Sequence, residues 1–463
     1  MDRIKLKQVS WLDLERPTIR PEIPDACYAQ RLTALRTAME EARWDCAVLY
    51  ADREHYANFR HIIGFEPRFE EGLAIIHRSP DTGDTVLLGN ECYAMHKDAR
   101  VPVNGLLCQV FSLPNQPMDQ FTSMKTSLQE AGIRPGMKVG LAGWKLFTPK
   151  DHKGAEHLFC VPGFVVDSLR EIVGFENLVN GTGMFIHSEN GLRTFNNAHE
   201  IAYFEYGAAL ASDGIAKAWR AIKPGLREME IAAQLEAYGQ VLTCHSMVSS
   251  GENTGKGLIS PGFRKVTLGD PIVFCMGLAG GLSCRGAYAV SKKEELSETA
   301  HTFEEALAKP YYRAVVDWYE NIGIGVSGGG LFDIIQTRIP KEKFGWTLNP
   351  GHLISSEEWQ SSNVYPGSAI QFKSGMLVQM DIIPAVKNFV SANAEDGICL
   401  ADAALRDDLC KRYPDVWNRM QKRRDYMMNE LGIALKEEIL PMSNLAGRYS
   451  PYLLNHEIAF SAK

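Results

Sequence analysis

GHLISSEEW (351–359), GMLVQMDIIP (375–384) and SANAEDGICLAD (391–402) decide how this chain reads. The run GMLVQMDII is apolar apart from Gln379 and Asp381, and GICLA is a second apolar run. Short apolar runs bounded by glycine, proline and serine read as strands, and AVKNFVSANAED between them is long enough for a hairpin loop. This reading sets His352, Asp381 and Glu395 in successive antiparallel strands. One imidazole and two carboxylates gathered by neighbouring strands make either a metal site or an acid/base site.

Working outward, the preceding stretch is helix-rich. Asn197 is an N-cap for a long helix to about Ile222, which Lys223-Pro224-Gly225 ends. A second helix is expected over 227–240. LGDPIVFCMGLAGGLSCRGAYAVS (268–291) reads as a β-hairpin turning near Gly280-Gly281. After the opening stretch, helices close the chain, and EEILPMSNLAGRYSPYLL (437–454) reads as an extended tail. Residues 1–26 are proline-rich and extended. Between them lie a helix (CYAQRLTALRTAMEEARWD, 27–45), strands at CAVLY (46–50), Leu73–Ile76 and TVLLGNE (85–91), and a strand leading into a helix at VPGFVVDSLREIVG (161–174). Strands alternating with helices make this half a small α/β domain. The expected division is an N-terminal α/β domain over 1–190 and an α+β domain over 191–463.

Composition narrows the function. With 463 residues the prior is two domains, and 45% hydrophobic with 23% charged residues is ordinary for a soluble globular protein. A net charge of -7 without a long basic run argues against nucleic acid. No stretch is apolar enough for a membrane span, and MDRIKLKQVSWLDLERP lacks the apolar core of a secretory signal. The ten cysteines are scattered without a CxxC pair and read as reduced thiols of a cytoplasmic protein, Cys275 and Cys284 being the closest pair.

The order of elements resembles the family of creatinase, prolidase, aminopeptidase P and methionine aminopeptidase. The residues that carry the resemblance are RLTALRTAMEEARWDCAVLY, the IIGF turn and VLLGNE in the first half. In the second they are LRTFNNAHEIAYFEYGAALASDGIAKAWRAIKPG, GDPIVFCMG, Gly351-His352 and GMLVQMDIIP. The resemblance implies a "pita-bread" catalytic domain behind a smaller N-terminal domain, and a hydrolase. It also implies a homodimer whose N-terminal domains cap the partner's active site; Arg68 in GFEPRFEEG is then either a substrate contact in trans or part of a charged surface loop.

The family's metallopeptidases hold two divalent ions with two aspartates, a histidine and two glutamates. Aligned on Gly269-Asp270, Cys275 stands at the first aspartate position and Arg285 at the second. His352, Asp381 and Glu395 stand at the other three. An arginine cannot ligate and would repel a cation, so the expectation is a site with no metal and no cofactor. Creatinase is the family's precedent, cleaving a carbon–nitrogen bond without metal. Its catalytic histidine lies in the loop before the Gly-Asp strand. That loop here, GENTGKGLISPGFRKVTLGD (251–270), has no histidine; the nearest is His245.

The expected activity is a metal-independent hydrolase or lyase acting on a carbon–nitrogen bond of a small zwitterionic substrate. His352 would shuttle the proton, Glu395 would orient it and Asp381 would be catalytic or paired with Arg285. Arg285 would hold a substrate carboxylate. Cys275 is either a nucleophile activated by His352 or a small buried hydrophobe. His245 is a second acid/base group or a packing residue. Trp359, where the peptidases carry a second histidine, makes the pocket apolar. The alternatives are a Xaa-Pro aminopeptidase or dipeptidase with an altered metal site, and a non-catalytic binding module of the same fold.

Overall fold

A computed structural model describes residues 3–150 and 152–463. Its described residues form two compact units, 23–194 and a second made of the stretch ending at Glu22 together with Phe195–Lys463. The expected first domain began at residue 1. The observed assignment differs because β1 (Lys5–Gln8) pairs antiparallel with β15 (Ile458–Ser461), at the other end of the chain. Ile4 and Val9 are buried in the second unit's core.

The unit 23–194 is built on a six-stranded mixed sheet. Its strands are β2 (Cys46–Ala51), β3 (Gly72–His77), β4 (Thr85–Leu88), β5 (Asn104–Leu107), β6 (Val139–Ala142) and β7 (Leu178–Asn180), in the order β5-β4-β3-β2-β6-β7. Every residue of β2, β3 and β4 is buried, as continuous apolar strands covered on both faces should be. Helices Met124–Glu130 and Gly163–Val173 join one core with the strands, and helix Asp25–Glu41 buries Leu32, Leu35 and Met39. The strand expected just before Gly163 is absent; Pro162 instead stands immediately before the first helical turn, where its fixed φ suits a helix start.

The second unit holds the stretches that opened the reading. A seven-stranded antiparallel sheet runs β11-β12-β13-β10-β9-β8, with β14 also paired to β13. These strands are β8 (Met247–Ser250), β9 (Pro271–Leu278), β10 (Gly281–Tyr288), β11 (His352–Leu353), β12 (Leu377–Met380), β13 (Asn393–Leu400) and β14 (Ile439–Pro441). The hairpin β9–β10 pairs from Leu278↔Gly281 down to Pro271↔Tyr288. Helix Ala198–Ala221 is buried along most of its length and starts on a capping box, with Asn197 accepting from the backbone of Glu200 and the Glu200 side chain returning to the N-cap. Gly207 on this helix is required by closeness: a Cβ there would sit 2.1 Å from the Ala279 carbonyl oxygen at the hairpin turn.

Two expectations change here. The helix over 227–240 is cut to Glu228–Ala232, with Tyr238 at a left-handed φ of 49°. The segment 437–454 is no loose tail. It contributes β14, and Arg448 is buried, donating to the carbonyls of Val9 and His456 at 2.8 Å each. No helix among the described residues is long and apolar enough to cross a membrane.

Candidate active site

The opening stretches meet in this second sheet. β11 pairs with β12 through His352↔Gln379, and β12 with β13 through Met380↔Asp396. Gly351 sets the entry to β11: its φ is +127°, and a Cβ would come within 3.1 Å of both the Gln379 carbonyl oxygen and the Trp318 indole nitrogen. Asp381 follows β12 directly, and Glu395 lies on β13. Ligand atoms of His352, Asp381 and Glu395 all lie within 4.8 Å of one another, and all three residues are buried.

The protonation of His352 follows from its partners. Nδ1 lies 3.1 Å from the Leu353 carbonyl oxygen, which can only accept, so Nδ1 carries the hydrogen. Nε2 faces Glu358 Oε1 at 3.0 Å and Asp381 Oδ2 at 4.0 Å. Burial opposes the imidazolium charge, but the Glu358 and Asp381 carboxylates outweigh it and raise the His352 pKa. Burial first, and then the repulsion of Glu358, push Asp381 up to about 7 against the opposing pull of His352. Burial, then Asp381 and Glu358, push Glu395 well above the carboxylate range. Gln379 reaches Glu395 Oε1 at 3.2 Å and also donates to the Leu282 carbonyl. The Trp359 indole stacks on the His352 ring, centroids 4.1 Å apart, and is itself 38% exposed.

Arg285 does not join this cluster. Side chains alternate along a strand, and Arg285 sits one step from Cys284, which faces Glu395 across β10–β13. Its guanidinium is fully buried on the other face, donating to Asp396 Oδ2 at 2.6 Å, to the Arg448 carbonyl at 2.8 Å and to the Cys284 and Glu395 carbonyls at 2.7 and 3.1 Å. The expected pairing with Asp381 and the expected hold on a substrate carboxylate are therefore corrected. The cation meant to repel a metal is spent on Asp396.

Cys284, not Arg285, stands opposite Cys275 in the hairpin, and their sulfurs are joined as a disulfide. The expectation of reduced thiols throughout, and of Cys275 as a nucleophile, fails in this state for that reason. His245 is exposed, with Nε2 2.9 Å from the Leu258 carbonyl oxygen. Arg68 lies in the unit 23–194, where Nε donates to the Arg53 carbonyl at 2.6 Å and the guanidinium covers the Tyr56 ring.

Three contributors escaped the sequence reading. Glu358 stood in the quoted GHLISSEEW beside Trp359. Gln379 carried the same signal as Asp381, a polar residue inside an apolar strand. Cys284 required the hairpin register to be counted to the residue.

The donors fit one divalent ion, since imidazole nitrogen and carboxylate oxygen are both zinc ligands and three protein ligands leave a fourth position for water or substrate. They do not fit two, because a second ion needs bridging carboxylates where this hairpin holds a disulfide. Ligation through Nε2 suits the tautomer that the Leu353 carbonyl fixes.

No protein-family model and no curated protein matches the sequence. Solved structures do match. The prolidase from Pyrococcus horikoshii OT3 is 16% identical with a TM-score of 0.62, the match covering 80% of this chain and 95% of that one. Dipeptidase PepE from Mycobacterium ulcerans is 18% identical with a TM-score of 0.61, covering 82% and 95%. The X-Pro aminopeptidase from Thermotoga maritima MSB8 is 14% identical with a TM-score of 0.59, covering 80% and 95%.

Proposed function

Taking as premise that this chain has the pita-bread fold of the prolidases and X-Pro aminopeptidases, we propose a hydrolase of a small peptide-like substrate, of the Xaa-Pro dipeptidase kind, working with an altered metal site. The supporting observation is the buried trio His352, Asp381 and Glu395, whose donor atoms lie within 4.8 Å of one another. These three would hold a single divalent ion, which as a Lewis acid polarises a carbonyl and lowers the pKa of a bound water.

The rest is the work of the chain's own groups. The Leu353 carbonyl fixes the His352 tautomer. Glu358, whose side chain is 24% exposed at the edge of the cluster, accepts and returns a proton beside Nε2. Gln379 keeps Glu395 from turning away. The flat Trp359 face offers an apolar wall of the shape a prolyl ring fills. The test is hydrolysis of Ala-Pro and Gly-Pro by chelator-treated protein, with Mn²⁺, Zn²⁺ or Co²⁺ added back. Loss of turnover on chelation and recovery at one equivalent per chain is the expected result.

A second reading, metal-free cleavage of a carbon–nitrogen bond, is favoured by the 3.0 Å His352–Glu358 pair alone. It predicts full turnover after exhaustive chelation. Assembly as a homodimer, with Arg68 reaching a second copy's site, belongs to the proposal and is read by the mass of the protein in solution and the kinetics of Arg68→Ala.

A further inference from the structure

We propose that Cys275 and Cys284 are a redox-gated pair of metal ligands: as a disulfide they leave an oxygen- and nitrogen-lined site, and as thiolates they join it and select a soft divalent ion. The inference rests on the single-ion reading of the trio and adds two donors to it.

Register carries it. β8, β9, β10 and β13 align Met247, Cys275, Cys284 and Glu395 in one row, each directly opposite the next. Directly opposed residues have Cβ atoms about 5 Å apart, so the Cys284 sulfur and the Glu395 carboxylate share a face and a neighbourhood. Both cysteines are almost fully buried, at 4% and 2% exposure. Arg285 points the opposite way, and its charge is spent on Asp396 behind the sheet.

Burial alone does not ask for two cysteines here. The same packing with Met247 and Leu282 would be served by alanine or valine. A thiol pair whose row ends on Glu395, one member of the buried trio, instead makes a donor set suited to zinc or cobalt. Thiolate sulfur favours such ions over manganese and magnesium.

The two states interconvert by a balanced step. A dithiol reductant gives two electrons and two protons to the disulfide, breaking the sulfur–sulfur bond to give two thiols and a disulfide of the reductant. Binding of a divalent ion by both sulfurs then releases two protons. Oxidation reverses this and strips two ligands from the site. Loss of a mere supporting partner costs about 10–100-fold in metal affinity, so loss of two direct ligands changes it by at least that factor.

The experiment compares two forms of the full chain after chelation. One is as purified with the disulfide confirmed by mass after alkylation. The other is reduced with dithiothreitol and desalted without oxygen. Each is titrated with Co²⁺. The proposal expects one equivalent bound in the reduced form with sulfur-to-cobalt charge-transfer absorption in the near ultraviolet. It expects no such band in the oxidised form, and at least about tenfold weaker Zn²⁺ competition there. The band weakens in Cys275→Ser and in Cys284→Ser and is lost when both are replaced. Co²⁺ bound equally by both forms with no charge-transfer band overturns the thiolate proposal and spares the single-ion reading. No Co²⁺ bound by either form overturns both. The wild-type comparison needs no substitution, so a variant that fails to fold does not blunt it.

Discussion

The two faces of the β10–β13 strand pair carry charge in opposite ways. Behind the sheet, Asp396 accepts from Arg285, Ser283, Ser443 and the Gly447 amide. In front, Asp381 Oδ1 and Gln379 Oε1 are buried with no hydrogen-bond partner among the described residues. One residue of register, Glu395 against Asp396 and Cys284 against Arg285, separates the two. A buried charge fully met by fixed partners is architecture, whereas buried carboxylates crowded together with an oxygen left unmet are held against their own solvation for something that is not protein.

Asp396→Ala is the hardest test of that division. It strands the wholly buried Arg285 guanidinium, and breaking a buried pair by removing one partner costs about 3–5 kcal/mol. Asp381→Asn removes a charge from the crowded face instead. Its chelator-treated form is expected to be as stable as the parent or about 1 kcal/mol more so, with turnover lost. Urea denaturation of both variants reads the contrast, and equal destabilisation would erase it.

Glu205 sharpens the same comparison away from the sheet. It is fully buried on helix Ala198–Ala221, within 2.6 Å of Arg423 and 2.9 Å of Arg419. Burial works to raise its pKa, but the two guanidinium groups prevail and hold it below the carboxylate range. Its unfolded form therefore takes up a proton at higher pH than its folded form. The stability it contributes is present above its ordinary pKa and is lost as pH falls through the lower, folded value. Glu205→Gln is expected to cost about 3 kcal/mol at neutral pH, with the gap to the parent closing on acidification in denaturation curves. A gap constant with pH would remove Glu205 from the satisfied class.

Much of this was legible beforehand, and the gaps have physical causes. His352, Asp381 and Glu395 could be read because a polar residue inside an apolar strand run, or following a glycine at its start, stands out. The Asn197 cap and the hairpin turn could be read from local chemistry. Arg285 and Cys284 could not be told apart, because a strand's side-chain period is two and a single-residue slip exchanges its faces. Alignment on Gly269-Asp270 fixes β9 but not the length of the turn before β10. The second-unit membership of the first residues depended on β1 meeting β15 across the whole chain, which no local pattern announces. The helix that stops at Ala232 carries no breaker until Gly239, so its early end was not written in the local sequence.

Trp359 tests the front face more gently. Its indole lies on His352 at 4.1 Å with planes 20° apart, and stacked aromatic pairs contribute about 1 kcal/mol beyond their buried area. Trp359→Ala is expected to lower kcat/KM about fivefold, with Trp359→Phe recovering most of it. The global melting transition should move little, because the ring is on the rim. A variant that melts early without a kinetic change would assign the indole to packing rather than to substrate.

The smallest effect is expected at His245, which lies just ahead of β8 and outside the β10–β13 pair. It is exposed, and its Nε2 is taken up by the Leu258 carbonyl within the 244–258 segment. A proton shuttle needs its nitrogen within hydrogen-bond reach of the reacting group or of one bridging water, and an exposed ring already spent on a local carbonyl brings no such reach. His245→Ala should change stability by no more than about 0.5 kcal/mol, the usual range for surface substitutions, and leave the pH profile of kcat unchanged. A lost limb in that profile would mean that the 244–258 segment closes over the cluster during turnover. The front face would then gain a second imidazole that the resting geometry keeps away from it.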